Sequence, residues 1–334
     1  MNILLTGGMG YIGSHVAVSL IQAGHRVVLY DNLSNSEAGV LQRIAAISGQ
    51  TPVFIEADIR ATRTLTDALC EHGIEAVIHF AGLKAVGESV RAPVRYYANN
   101  VAGTISLMEA MGEAGVSLLV FSSSATVYGE PQYLPLDEAH PTSVTNPYGR
   151  SKLHIEEMLH DLSLSDPAWR IVSLRYFNPA GAHPSGLIGE NPRDTPNNLL
   201  PYIARVAAGE LEELSVFGND YPTPDGTGVR DYIHVMDLAE GHVAALLWLT
   251  DHPGSHIINL GTGQGYSVLE MVEAFAKASG CAIPYRIAPR RKGDVAACYA
   301  NPEKALRELG WETRHSLQEM CESAWNFQKQ LRRR

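Results

Sequence analysis

The stretch that decides the fold is Thr6-Gly7-Gly8-Met9-Gly10-Tyr11-Ile12-Gly13, which lies between an apolar run at 2–5 and a helix-period segment at 12–23. Its glycines at 7, 10 and 13 give the spacing G-x-x-G-x-x-G. Residues without a Cβ allow backbone N–H groups and a helix N-terminus to approach a pyrophosphate closely. Because strand, glycine turn and helix follow one another, the stretch predicts the first unit of a dinucleotide-binding sheet.

The pattern of short apolar runs and amphipathic segments continues through the first half of the chain. Buried strands are predicted at 2–5, 26–30, 53–56, 76–80, 118–122 and 171–175, with helices at 12–23, 62–72, 94–114 and from 148 onward. This alternation is typical of an α/β fold, a Rossmann-type doubly wound parallel sheet. We expect residues 1–176 to form the dinucleotide-binding domain.

The alternation of apolar runs and amphipathic segments ends after residue 177. A loop rich in proline and glycine is predicted at 178–201, followed by helices at 238–250, 268–279, 302–309 and 317–331. Asp237 is expected to be the N-cap of the first of these helices. We therefore expect residues 177–334 to form a smaller α/β domain that mainly binds substrate, with some chain returning to the first domain.

Two acidic residues follow predicted strands of the first domain. Asp31 lies 18 positions beyond Gly13, where a carboxylate accepts hydrogen bonds from both ribose hydroxyls and repels a 2′-phosphate. The sequence therefore favours NAD over NADP. Asp58 ends the third strand, where it either reaches the adenine or serves only as a turn residue.

Composition excludes several classes of protein. The chain has 334 residues, of which 45% are apolar, and its net charge of −10 argues against a partner bound through nucleic-acid phosphates. Apolar runs fall far short of the roughly 20 residues that span a bilayer, and no targeting signal precedes the first strand. The four cysteines form no C-x-x-C pair, which is typical of free thiols in a reducing compartment. We expect a cytoplasmic protein that binds neither nucleic acid, membrane nor metal.

Three side chains indicate proton chemistry. Tyr148 and Lys152 are four positions apart after Asn146-Pro147, so they share one face of a helix. A phenol is a poor base at neutral pH, but a neighbouring ammonium and an oxidised nicotinamide would lower its pKa. Ser124 ends the fifth strand, where its hydroxyl can enter the cleft at the carboxyl edge of the sheet. This set of residues favours catalysis over the alternative that they are ordinary surface residues.

These residues together resemble the extended short-chain dehydrogenase/reductase family, and within it the branch that epimerises UDP-hexoses at C4. The resemblance runs from the first strand to about residue 304. It rests on TGGMGYIGSH at 6–15, DNLSNS at 31–36, HFAGLKAVGESV at 79–90, SSSATVYG at 122–129, PYGRSK at 147–152, RYFNPAGAHPSG at 175–186 and FGNDYPTPDGTGVRDYIHV at 217–235.

The resemblance implies a tightly bound NAD, with UDP-glucose and UDP-galactose interconverted through a 4-keto sugar. Tyr148 would move the proton of the 4-hydroxyl, Ser124 would hydrogen-bond the reacting oxygen, and Lys152 would hold the nicotinamide ribose. The cofactor pocket would comprise Gly7, Gly10, Tyr11, Ile12, Gly13, Asp31, Asn32, Leu33, Ser34, Asn35, Ser36, Asp58, Ile59, Phe80, Ala81, Gly82, Leu83, Lys84, Asn99, Ser124, Tyr148, Lys152 and Phe177. The sugar nucleotide would contact Lys84, Ser124, Tyr148, Asn178, Asn198, Leu199, Ser215, Val216, Phe217, Arg230, Tyr232, Arg291, Asp294 and Cys298.

Several positions bear on the reaction and its substrates. The guanidinium groups of Arg230 and Arg291 suit a diphosphate, although a surface ion pair is an alternative for each. Related 4,6-dehydratases carry an Asp-Glu pair where this chain has Ala125 and Thr126, so dehydration is disfavoured. A small residue at Cys298 implies room for an N-acetyl group, and hence activity on UDP-N-acetylglucosamine and UDP-N-acetylgalactosamine, unless a one-residue slip brings Tyr299 to the sugar instead.

The resemblance also implies a homodimer formed by helices at 94–114 and 148–164. Two other functions stay open from the sequence alone. One is a different NAD-dependent sugar-nucleotide dehydrogenase or reductase, which would exchange its cofactor freely. The other is a non-catalytic NAD-binding regulator on the same fold.

Overall fold

The computed structural model describes residues 1–192, 196–291 and 293–332. Its main sheet has seven strands in the order β11-β6-β5-β4-β1-β2-β3, and every neighbouring pair is parallel. These strands are β1 (Asn2–Thr6), β2 (Arg26–Asp31), β3 (Val53–Glu56), β4 (Ala76–His79), β5 (Leu118–Ser124), β6 (Arg170–Tyr176) and β11 (Gly254–Leu260). The predicted Rossmann-type sheet is confirmed.

Helices lie on both faces of this sheet and in the second half of the chain. The α-helices of the described residues are α1 (Tyr11–Gln22), α2 (Gly39–Ser48), α3 (Thr62–Glu71), α4 (Val86–Arg91), α5 (Pro93–Tyr96), α6 (Ala102–Ala114), α7 (Pro147–Ser165), α8 (Leu199–Ala207), α9 (Val235–Leu249), α10 (Val268–Ser279), α11 (Glu303–Leu309) and α12 (Leu317–Leu331). Apolar side chains of α1, α2 and α9 pack on one face of the sheet, and those of α3, α6 and α7 pack on the other.

Short strands organise the chain beyond residue 177. They are β7 (Asn178–Ala180), β8 (Leu214–Phe217), β9 (Val229–Arg230), β10 (Tyr232–His234), β12 (Tyr266–Ser267), β13 (Tyr285–Ala288) and β14 (Ala297–Cys298). A third apolar core forms where α8, α10 and α12 pack together. Strand β11 belongs instead to the main sheet, and α9 packs on one face of that sheet. The domain boundary at 176/177 stays a prediction.

The structure differs from the sequence prediction in several details. The expected helix at 94–114 is divided into α5, a π-helical turn at Tyr97–Val101 and α6. The expected loop at 178–201 contains β7 and the start of α8. Helix α2 and strand β11 were not predicted.

Asp237 is not an N-cap. Helix α9 begins at Val235 and is capped by the His234 ring, which accepts a hydrogen bond from Met236 N at 3.0 Å. Asp237 lies in the first turn, where its carboxylate accepts hydrogen bonds from the backbone N–H groups of Arg314 and His315. A long-range partner therefore replaces the local cap that the sequence suggested.

Among the described residues, no helix is both long and apolar enough to cross a lipid bilayer, and no cluster of three or more His, Cys, Asp or Glu side chains could hold a metal ion.

Stability should fall as the pH is lowered below neutrality. Burial lowers the pKa of His15, His79 and His234 to about 3 and that of His242 to about 4. In the unfolded chain a histidine titrates near ~6.5, so from pH ~6.5 down to about 4 the unfolded state binds more protons than the folded one. Each histidine then lowers the unfolding free energy by up to about 1.4 kcal/mol per pH unit.

Urea unfolding at pH 7.5, 6 and 5 tests this expectation. The midpoint should fall at each step, and a variant of the exposed His160, His160→Gln, should show the same profile as the parent chain. An unfolding free energy that stays constant from pH 7.5 to 5 would contradict the assignment of neutral buried rings.

Candidate active site

The carboxyl edge of the main sheet gathers the residues that were predicted from both halves of the chain. Gly7, Asp58 and Phe80 come after β1, β3 and β4, and Phe177 follows β6. Asp31 and Ser124 end β2 and β5. In open α/β sheets this edge is where ligands bind. Tyr148 and Lys152 lie on α7, and the other predicted residues lie in the glycine turn and the start of α1, in the loops after β2, β3 and β4, in the π-helical turn, or in the chain beyond residue 177.

The glycine turn is built for close backbone contact. Gly7 has φ +68°, and a Cβ there would lie 2.7 Å from the backbone N of Ala81. A Cβ at Gly13 would lie 2.5 Å from Gly7 O. The N-cap of α1 is Gly10, and no side chain caps the helix. The N–H groups of this first turn can therefore meet the pyrophosphate of a dinucleotide, which the residues present fit.

Asp31 lies beside this turn and orders the loop that follows β2. Its Oδ2 accepts a hydrogen bond from Met9 N at 3.1 Å, and its Oδ1 accepts from Leu33 N and Ser36 Oγ, both at 2.9 Å. A carboxylate has about four lone-pair sites, so these three hydrogen bonds leave about one acceptor site for a ribose hydroxyl.

Asp58 is held by Arg60. Arg60 donates from Nε at 2.8 Å and from Nη2 at 2.9 Å, and Asn32 Nδ2 donates to Asp58 Oδ2 at 3.2 Å. The Arg60 hydrogen bonds hold the pKa of the Asp58 carboxyl well below its usual range. Asp58 Oδ1 also accepts from the backbone N of Arg60 at 2.9 Å, which is typical of a turn residue, so both the turn role and the contact with adenine stay predictions.

Asn100 fixes the loop at 80–84 that follows β4. This buried side chain accepts from Leu83 N at 2.8 Å and donates to Leu83 O at 3.0 Å. Its Nδ2 also donates to Ser151 Oγ at 3.1 Å, which joins the loop to α7. The sequence reasoning selected Asn99, which donates to Asn100 Oδ1 at 3.0 Å, and missed Asn100 itself.

Tyr148 and Ser124 meet in a buried position. Asn146 caps α7 by accepting a hydrogen bond from Gly149 N at 2.9 Å. A Cβ at Gly149 would lie 2.9 Å from Thr126 O, so the glycine allows the helix to approach the turn after β5 closely. Burial raises the pKa of Tyr148, and a hydrogen bond with Ser124 opposes this rise. The phenol is therefore protonated at neutral pH in the chain alone.

Lys152 lies against β5, and its effect on the pKa of Tyr148 stays a prediction. Its Nζ donates to Ser122 O at 2.6 Å and lies 4.8 Å from the centre of the Phe121 ring. The lysine thus extends toward β5 rather than along the helix face. Burial lowers the pKa of Lys152 to about 8, and nearby Glu156 opposes this change. A lower Tyr148 pKa, expected from Lys152 together with an oxidised nicotinamide, stays a prediction.

On the other side of the cleft, β9 and β14 bring two predicted residues together. Cys298 is the register partner of Arg230, and Cys298 packs beside a cluster that includes Phe177 and Ala125. The Tyr299 ring lies instead next to Gly265. Burial raises the pKa of the Cys298 thiol to about 11, so it is neutral at physiological pH. Cys298 therefore packs against the cluster that contains Ala125, the residue after Ser124, whereas the Tyr299 ring lies beside Gly265.

Other predicted substrate residues form separate contacts around the cleft. Arg291 donates to Asp294 Oδ2 at 2.8 Å and lies over the Phe217 ring, so the surface ion pair considered for this arginine is present. Asn178 pairs with Tyr232 between β7 and β10. Tyr232 is buried in the core between α8, α10 and α12, where burial raises its pKa to about 12.

Lys84 and Asn198 both bind Glu190, which was not selected from the sequence. Glu190 Oε1 accepts from Lys84 Nζ at 2.7 Å and from Asn198 Nδ2 at 2.6 Å. Leu199 follows at the start of α8, and Ser215 and Val216 lie on β8.

Comparison with known proteins places this site in a family. The sequence model of the NAD dependent epimerase/dehydratase family matches residues 3–261. The chain belongs to this family. A relative from Bacillus subtilis, named UDP-glucose 4-epimerase, is 58% identical over 328 residues, covering 98% of this chain and 97% of the relative.

Two solved structures are similar over almost their whole length. The UDP-glucose 4-epimerase from Stenotrophomonas maltophila, with bound NAD and formylated UDP-arabinopyranose, has a TM-score of 0.98 at 55% identity and covers 100% of this chain and 99% of that chain. The UDP-glucose 4-epimerase from Bifidobacterium longum, in complex with NAD+ and UDP, has a TM-score of 0.95 at 50% identity and covers 99% and 98%.

Within the epimerase/dehydratase family, the residues after Ser124 bear on the type of reaction. Thr126 donates from both its backbone N and its Oγ1 to Ser124 Oγ, at 3.2 and 3.0 Å, and Ala125 is buried. Neither side chain is a carboxylate, so this position offers no acid or base of the kind expected for dehydration.

The sequence analysis did not select one buried carboxylate that orders two loops of the second half of the chain. Asp231 accepts hydrogen bonds from Thr262 N, Thr262 Oγ1, Gly263 N and Ala300 N, at 2.6–3.1 Å. It thereby joins the loop after β11 to the chain that follows β14. An aspartate whose partners are distant backbone N–H groups has no characteristic sequence spacing. The sequence therefore drew attention to the neighbouring Arg230 and not to Asp231.

Proposed function

We propose that this chain is an NAD-dependent UDP-hexose 4-epimerase that interconverts UDP-glucose and UDP-galactose. The observation that carries the proposal is the buried Tyr148–Ser124 pair beside Lys152 at the carboxyl edge of a dinucleotide-binding sheet. The names of relatives at 58% identity support the same activity.

Proton transfer is assigned to Tyr148. The phenolate takes the proton of the sugar 4-hydroxyl while C4 is oxidised to a ketone, and it returns that proton when the ketone is reduced from its other face. NAD, when bound, supplies the acceptor and donor for the hydride that leaves and returns to C4. Ser124 donates a hydrogen bond to the 4-oxygen, and the oxidation state of the enzyme is restored in each turnover.

Lys152 and the ligand charge prepare the tyrosine. Because burial alone raises the pKa of Tyr148, the phenolate needs positive charge in the cleft. Lys152, held by Ser122 O, is placed to hold the nicotinamide ribose, and its ammonium is then shielded from water together with the reacting groups. Arg230 and Arg291 are the basic residues assigned to the diphosphate of the substrate.

Proton NMR of the anomeric signals tests the function. Purified protein is incubated with UDP-galactose and no added nucleotide, and UDP-glucose should accumulate to a stable mixture. A requirement for stoichiometric NAD with release of a keto product would favour the dehydrogenase or reductase. No conversion even after NAD is supplied, with NAD still bound, would favour the non-catalytic regulator.

We further infer that UDP-N-acetylglucosamine and UDP-N-acetylgalactosamine are substrates. Cys298 is small and packs near Phe177 and Ala125, while the larger Tyr299 ring lies next to Gly265. A small side chain at this point leaves volume for the acetamido group on C2.

Replacing Cys298 with tyrosine should therefore remove this breadth. The added phenol occupies the volume of the acetamido group, so we expect at least about a 100-fold loss of kcat/KM for the N-acetyl sugars and a change of only a few-fold for UDP-galactose. Cys298→Ala is the matched control and should retain both activities. A Cys298→Tyr variant that still converts both substrates would refute the role of Cys298.

We also infer that the protein is a homodimer acting in a reducing cytoplasm. Val90, Val94 and Leu164 are exposed at 59%, 77% and 72% on α4, α5 and α7, and Ile105 is exposed on α6. These helices pack side by side, so a second copy can cover their apolar side chains together. Light scattering on the purified protein gives the mass directly. The four free cysteines fit a reducing compartment.

A further inference from the structure

We propose that Glu190 is a positioning residue for the sugar, setting the orientation of Lys84 and Asn198 before substrate arrives. This inference rests on the proposed function, because both partners were assigned to the sugar-nucleotide site. It adds a carboxylate that has no assigned role in the reaction described above.

Glu190 contacts one residue from the first half of the chain and one from the second half. Its Oε1 accepts from Lys84, which lies in the loop after β4, and from Asn198, which precedes α8. The Glu190 side chain is 10% exposed, whereas that of Lys84 is 50% exposed. A largely buried carboxylate thus holds an ammonium that extends toward the open cleft.

The chain segment around Glu190 is itself fixed. Ala182 and Gly189 form an antiparallel bridge just before it. Ser323 Oγ accepts a hydrogen bond from Ala182 N at 3.1 Å, and Asn326 Nδ2 donates to Pro184 O at 3.1 Å, so α12 holds the segment. The segment that leads to the carboxylate is therefore held by contacts within the chain, as a preorganised site requires.

The side chain of Asn198 gives a second reason to assign a positioning role to Glu190. It occupies the N-cap position of α8, yet its side chain makes no cap hydrogen bond. Asparagine is favoured there because it caps, so this side chain is used differently. Its Nδ2 donates to Glu190, and its Oδ1 is the acceptor that we assign to a sugar hydroxyl.

Glu190→Gln tests the proposal because it keeps the size of the side chain and removes its charge. A glutamine cannot hold the Lys84 ammonium by charge, and its amide can rotate and reverse the orientation of Asn198. Hydrogen bonds to charged groups are worth enough to predict a loss of about 10- to 100-fold in affinity for UDP-glucose. Affinity for UDP, which has no sugar, should change less than about two-fold.

The matched control is Glu308→Gln, which removes another glutamate that is paired with an arginine, on α11. It should bind both ligands as the parent chain does. A double-mutant cycle with Lys84→Met should show that the two losses are not additive, because Glu190 acts through Lys84.

The outcomes separate this inference from the proposed function. Equal loss of UDP and UDP-glucose affinity by Glu190→Gln would indicate a structural role and overturn the inference, as would affinities unchanged from those of Glu308→Gln. If the parent chain itself shows no epimerisation and binds UDP-glucose no better than UDP, the proposed function fails first. Epimerisation by the parent chain with no effect of Glu190→Gln would refute the positioning role alone.

Discussion

Tyr148→Phe is expected to lower kcat for UDP-galactose by about 10³-fold, while the NAD bound to the purified protein stays in place. The substitution removes one oxygen atom from a side chain that is buried and hydrogen-bonded to Ser124. General acid–base catalysis contributes typically about 10²–10⁴-fold, and no other described group that we assign to the sugar 4-oxygen can carry a negative charge. Initial rates and the absorbance of released nucleotide give the two readouts.

Tyr285→Phe is the matched control, because Tyr285 lies exposed on β13. It should leave both kcat and bound NAD as in the parent chain. A Tyr148→Phe variant with unchanged turnover would remove Tyr148 from the mechanism, and loss of NAD along with activity would assign it to cofactor binding instead.

Glu156→Gln is expected to lower the unfolding free energy by about 3–5 kcal/mol, because it breaks a buried ion pair. Glu156 Oε2 accepts from Arg175 Nη2 at 2.6 Å, and both side chains are only 4% exposed. Ser123 Oγ also donates to the carboxylate, so the pair anchors α7 to β5 and β6 behind the catalytic residues. Loss of the carboxylate leaves the Arg175 charge buried without its partner. Urea unfolding measures the change.

Two further variants test the cause of this destabilisation. Replacing both partners with apolar residues, Glu156→Leu with Arg175→Met, should recover most of the lost stability, because no charge is then left buried. Glu37→Gln, which removes the more exposed partner of Arg43, should change the unfolding free energy by less than about 1 kcal/mol. If Glu156→Gln is no more destabilising than Glu37→Gln, the buried pair does not have the role given to it.

The strands and helices that follow local rules could be predicted from the sequence. Each buried strand of the first half is a short apolar run, and the glycine turn at 6–13 has a spacing that chemistry explains. Strand β11 was missed because it begins Gly-Ser-His, and only its last residues are fully buried. The π-helical turn Tyr97–Val101 was missed because its sequence continues the helical pattern on both sides.

The residues of the site likewise fall into two groups, those with a local sequence pattern and those without one. Tyr148, Lys152 and Ser124 could be selected because helix spacing and strand ends leave a local pattern. Asn100, Glu190 and Asp231 could not, since each depends on at least one partner that lies between 17 and 106 positions away in the chain. Asp237 was misassigned for the same reason, because its backbone partners lie 77 and 78 positions away.

The most direct test of the central claim uses UDP-galactose labelled with deuterium at C4, incubated with the purified protein and no added nucleotide. If hydride leaves and returns to the same carbon inside one closed site, the UDP-glucose formed should retain deuterium at C4. Product carrying protium at C4 would show exchange with water and contradict this account, as would the absence of UDP-glucose.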